Sequence, residues 1–143
     1  MTTFALDLKR FEEKAVAKQQ QALRKISIEL FGRVIMRTPV DTGRLRGNWQ
    51  ATTFVPATSE VNVLDKGSKT NSRGIGNSIA KGSMQETILA EGNPVMFHLT
   101  NTLPYAKVIE YGDPVKSKQA PAGMVRVSII EFRDVVEEVV NAL

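Results

Sequence analysis

Covalent chemistry needs a proton carrier, a nucleophile or a metal, and few side chains here could serve. His98 is the one histidine. It lies in the apolar stretch VMFHLTN (95–101), with no serine or aspartate constellation around it in sequence. A hydrogen-bonded structural histidine is therefore favoured over a general base. The chain has no cysteine, which removes disulfides, thiolate nucleophiles and sulfur metal sites. No acid spacing of the calcium-loop kind is present either. Glu12–Glu13 and Glu137–Glu138 are adjacent in sequence, so on a helix they point apart, unlike a catalytic carboxylate pair. GIG (74–76) lacks the third glycine of a dinucleotide-binding turn. GSK (67–69) resembles the tail of a phosphate loop, but Asn62 stands where its first glycine would be. The expectation is a protein that is not an enzyme and uses no metal or cofactor.

Charge offers one asymmetry. Residues 1–46 hold ten Lys and Arg against five Asp and Glu, whereas the rest is nearly balanced. A basic half suits an acidic partner or nucleic acid, although lysines on a helix are more often a solvated face. Lys66, Lys69, Arg73 and Lys81 make a local basic cluster that non-sequence-specific phosphate contact would use. No DNA- or RNA-binding module is recognisable around it, and a solvated linker is the simpler reading.

The elements that position these residues follow from periodicity. Phe4, Leu8, Phe11, Ala15, Ala22, Ile26, Leu30 and Val34 recur at helical spacing, which predicts one helix over 4–37. Pro39 ends it by excluding the α conformation at Thr38. At about 1.5 Å per residue such a helix is on the order of 50 Å long. A domain of this size does not need that length, so part of it must bend or lie against something else. Asp41, Thr42, Gly43 and Arg44 read as a turn, with side-chain acceptors and a glycine for positive φ. Strands are expected at 48–55, 60–64 and 95–101, and a helix at 77–90. DKGSKTNSRGIGNS (65–78) is small, polar and basic, so a flexible loop is expected at about 65–76. In NTLPYAKVIEYG (101–112), Pro104 starts a short helix that Gly112 ends as a left-handed cap. Val125, Ile129, Phe132, Val136, Val139 and Leu143 predict a last helix from 125 to the end. The fold class is α+β: one small, mostly antiparallel sheet packed by a long N-terminal helix, a middle helix and a C-terminal helix.

Composition sets the remaining bounds. With 42% apolar and 24% charged residues over 143 positions, one globular domain covering 1–143 is expected. No run of about 18 apolar residues exists to span a membrane. The opening MTTFALDLKRFEEKAV lacks the pattern of a secretory signal.

Three stretches together resemble a known family. TPVDTGRLRGNW (38–49), NTLPYAKVIEYG (101–112) and QAPAGMVRVSI (119–129) are similar to the signature blocks of the phage minor tail proteins. These are the tail-completion or neck proteins of long-tailed bacteriophages. Segment 56–76 matches none of the blocks. The resemblance implies a structural virion protein assembled in the host cytoplasm, forming a ring, commonly hexameric, at the head-proximal end of the tail. Its partners would be itself, neighbouring tail and connector proteins, and DNA passing through the ring. A tail terminator or head–tail connector is the nearest alternative, and a nucleic-acid-binding accessory protein a more distant one. In that frame Asp41, Thr42, Gly43, Arg44, Pro104, Tyr105, Glu110, Tyr111, Gly112, Pro121 and Gly123 are turns and joints. Lys66, Lys69 and Arg73 are the residues to meet a partner or the DNA path.

Overall fold

The computed structural model describes residues 3–67, 78–113 and 116–143. Helix α1 spans Thr3–Arg37 and is followed by the short α2 at Arg44–Gly47 and strand β1 at Trp49–Thr53. Helix α3 is Ile79–Leu89, strand β2 is Phe97–Asn101, and α4 is Ala106–Tyr111. The chain closes with α5 at Val125–Ile130 and α6 at Phe132–Ala142. This is the α+β arrangement expected: a long helix, a small antiparallel sheet, and middle and C-terminal helices.

β1 and β2 pair antiparallel, with Trp49 opposite Asn101 and Thr53 opposite Phe97. The core lies where α1, α3 and this ribbon meet, around Ile35, Met84, Ile88, Trp49 and Leu103, and Met124 joins it from the other end. α1 ends at Arg37 because Pro39 cannot continue the helix. Thr38 then turns its hydroxyl to serve both sides of the junction. It donates to the Val34 carbonyl at 2.9 Å and accepts from Trp49 Nε1 at 2.6 Å. α3 begins at Ser78, whose side chain accepts the Lys81 N–H at 3.1 Å. At the far end of α3, the Arg24 guanidinium donates to the carbonyls of Ile88, Ala90 and Gly92. Carbonyls at and just beyond a helix C-terminus have no partner within the helix, and Arg24 supplies the donors.

Two expected elements differ. Residues 60–64 form no strand. Side chains satisfy this segment where a ladder would have: the Asn48 Oδ1 atom accepts the Val61 N–H at 2.8 Å, and Gln50 Nε2 donates to the Ser59 carbonyl at 2.7 Å. The last helix is broken at Glu131, which keeps right-handed dihedrals of φ −85° and ψ 0°. There the N–H of Glu131 closes a tighter turn onto the Ser128 carbonyl. One turn earlier, the Ser128 hydroxyl donates to the Met124 carbonyl at 2.7 Å, a back-bond that bends helices.

The two apolar stripes that predict these helices are buried only in part. In α1 only Val34 of the predicted stripe is buried, while Phe4, Leu8 and Phe11 are 72%, 54% and 73% exposed. In α5 and α6, Val135 and Val139 are buried, but Ile129, Phe132 and Leu143 are exposed.

Candidate functional site

The three sequence blocks meet through polar joints that link each to the other two. The first joint is Asn48, fully buried. Its amide nitrogen donates to Asn101 Oδ1 at 2.9 Å and Thr102 Oγ1 at 3.0 Å. Asn101 in turn donates to the Leu45 carbonyl at 2.8 Å. Blocks 38–49 and 101–112 are thereby tied at the end of the ribbon.

The second joint is Glu110. Its carboxylate accepts the backbone N–H groups of Met124 at 2.6 Å, Val125 at 2.9 Å and Arg126 at 2.8 Å. The Arg126 side chain adds an ion pair at 3.3 Å and donates to the Glu110 carbonyl. A negative charge at the start of α5 satisfies donors that the helix leaves open. Burial pushes the Glu110 carboxyl up, but the three N–H groups and Arg126 outweigh it and hold it below the usual carboxylate range. Gly123 makes the approach possible. At φ +92° it occupies left-handed backbone, and a Cβ there would stand 2.7 Å from the Glu110 carbonyl oxygen.

The third joint closes the circuit from block 119–129 back to the first. Gln119 Oε1 accepts the Val40 N–H at 2.9 Å, and its Nε2 donates to the Val40 carbonyl at 3.3 Å. Beside it lies a recess of about 370 Å³ lined by Thr38, Arg46, Gln119, Pro121 and Gly123 among others. Arg46 is buried, donating to the carbonyls of Met36 and Thr38. Burial draws its guanidinium below the ordinary value, opposed by the charge of Asp65.

The remaining turn residues fall around these joints. Gly43 has φ +86°, and a Cβ there would overlap the backbone of Asp65. Its carbonyl accepts the Asp65 N–H at 2.9 Å. Thr42 Oγ1 accepts the Arg44 N–H at 3.3 Å, Arg44 pairs with Glu60 at 3.1 Å, and Asp41 is exposed. Pro104 and Tyr105 form the exposed turn into α4, and Gly112 ends that helix at φ +66°. Tyr111 stays 62% exposed, with the Arg126 guanidinium 5.1 Å from its ring centre. Pro121 is exposed at the turn before Gly123.

Of the basic segment expected as a flexible loop at about 65–76, all but 65–67 lies outside the described residues. Lys66 is exposed, whereas Lys69 and Arg73 lie outside the described residues. Asp65, read as the first residue of a flexible loop, is instead fully buried. Its Oδ2 accepts the Ser78 hydroxyl at 2.5 Å and the Ala80 N–H at 2.9 Å, so it anchors the start of α3. Sequence reasoning missed this role and that of Asn48. An aspartate beside Gly and Ser looks like loop, and only the chain's return to α3 makes it a cap.

Among the described residues no group of acids and histidines could hold a metal, and no helix is long and apolar enough to cross a membrane. His98 is partly buried, opposite Thr52, and its Nε2 has no partner among the described residues. The hydrogen-bonded histidine expected from sequence is therefore not met at that atom.

The surface feature most distinct from this stitched body is the first half of α1. Residues 3–14 and 16–19 are all exposed, with Ala15 partly covered. Further along, Gln20 Nε2 donates to the Pro94 carbonyl at 2.8 Å and ties the helix to the body. A helical rod of about 25 Å therefore stands off the body.

Residues 3–112 match the model of the HK97-gp10-like family, described as "Bacteriophage HK97-gp10, putative tail-component". No curated protein and no solved structure matches the chain.

Proposed function

We propose that this chain, which belongs to the HK97-gp10-like family of bacteriophage tail components, is a structural subunit that assembles as a ring at the head-proximal end of the tail. The observation that carries this reading is the exposed first half of α1. Phe4 and Phe11 stand more than two thirds exposed and Leu8 just over half, on one helical face, and exposed apolar patches on such a scale mark contact surfaces. The body supports the same reading, because its buried polar groups serve as joints between segments of the chain. Asn48, Asp65 and Glu110 hold loops and helix starts in place. Neighbouring tail proteins above and below the ring are the further partners. Lys66, Lys69 and Arg73 lie in the basic segment that would face an acidic neighbour or the DNA path.

The test has two parts. Native mass measurement of the purified chain, and copy counting in particles, should give a closed oligomer, with six as the expected number. Phage lacking the gene should accumulate heads and tails that fail to join. A chain present as one copy per particle, or joined particles formed without it, would overturn the ring at the neck.

A further inference from the structure

We propose that the exposed first half of α1 docks on the exposed stripe of α5 and α6 of the next copy of this chain. This inference rests on the ring reading and names the surfaces that would close it. The docking half offers Phe4, Leu8, Phe11 and Ala15, spaced four, three and four along one face. The receiving face offers Phe132 at 49% and Val140 at 52% exposure, with Val136 between them and Leu143 beyond. Ile129, 57% exposed, extends it at the end of α5. The two stripes run about 17 and 21 Å at 1.5 Å per residue, so they match in length.

Charge favours the same pairing. Around the docking stripe stand Lys9, Arg10, Lys14 and Lys18 against Asp7, Glu12 and Glu13. The receiving helix α6 carries Asp134, Glu137 and Glu138 against Arg133; Glu137 pairs with Arg133 and Glu138 with Arg33, which leaves Asp134 as its acid without an ion pair among the described residues. Area is also adequate. At roughly 150–250 Å² for a fully bared aromatic side chain, Phe4, Leu8 and Phe11 present on the order of 400 Å². That is about half of what each side of a stable interface buries, roughly 800 Å², and the helix flanks supply the rest.

The tip cannot use its own α6. Glu131 and Glu138 pair with Arg33, and Glu131 also with Arg37, which fixes α6 beside the other half of α1. Pairing α1 with α1 would cover one stripe and leave the second in water. A contact between two different surfaces covers both, and it closes a ring when the rotation from one copy to the next divides a full turn.

The absence of cysteine makes the test clean. Phe11→Cys and Phe132→Cys chains are purified apart, shown to fold by circular dichroism, mixed, and treated with a bifunctional maleimide. Its reach tolerates a register error of one helical turn, about 5.4 Å. The mixture should give linked dimers at least tenfold above either chain alone. Equal linking by Phe11→Cys alone, or none in the mixture, overturns the docking. Sedimentation of the unmodified chain separates the two ideas. An oligomer without mixed linking keeps the ring and discards this contact, whereas a monomer in solution and in particles discards both.

Discussion

The stretch around Glu110 and the first half of α1 solve opposite problems. Glu110 is a charged residue drawn inside, 9% exposed, with donors from one turn of backbone and Arg126 converging on it. Phe11 is a large apolar residue left outside, 73% exposed, with no counterpart among the described residues to cover it. Inside the body a polar group is satisfied by the chain itself. On the rod an apolar group waits for another molecule. The stability of the fold and the capacity to assemble therefore reside in different residues and should be separable by substitution.

The largest effect should come from Glu110→Ala, which leaves three helix-start N–H groups and Arg126 without their acceptor. A loss of about 3 kcal/mol is expected on chemical denaturation. A loss under 1 kcal/mol would mean the joint is solvated and the two regions differ less than described. Gly123→Ala comes next. The added Cβ meets Glu110 on left-handed backbone, and roughly 2 kcal/mol should be lost. Gly82→Ala is the contrast, since nothing lies within 4 Å of its Cβ position inside α3. It should raise stability by about 0.5–1 kcal/mol.

Acid provides a graded test of the same joints. Arg37 foremost, with Arg33, holds the Glu131 carboxyl below its ordinary range against the effect of burial, and Glu110 is lowered as well. Groups with depressed native values contribute stability above the unfolded pKa of about 4.3, and that stability is lost as pH falls through the native values. Thermal midpoints should thus be flat near neutrality and drop below about pH 4.3. In Glu110→Gln the drop should be shallower. The smallest effect on folding is expected for Phe4→Ser with Phe11→Ser, within about 0.5 kcal/mol of the parent. The same pair should abolish oligomer formation in sedimentation.

How much of this was legible in the sequence varied with the range of the interactions. The long helix, both ribbon strands and the left-handed turns at Gly43 and Gly112 follow from local spacing and from glycine's freedom at positive φ. The strand expected at 60–64 rested on EVNVL alone, and side chains of Asn48 and Gln50 from an earlier segment took its bonding groups. Glu110 is legible only as one of the joint residues, and not as the acceptor for the start of α5, because its partners lie fourteen to sixteen residues away. The apolar stripes were legible as faces that must be covered. Helical spacing does not say by which molecule, and so Phe11 and Phe132 read the same as Val34 and Val139.

Hydrogen exchange read peptide by peptide tests the central claim most directly, comparing the dispersed chain with the assembled ring. Residues 3–19 and 129–143 should gain strong protection on assembly, while 110–126 should be protected equally in both states. If 3–19 exchange as fast in the assembly as in the dispersed chain, the rod is not what neighbouring subunits cover, and the account is wrong.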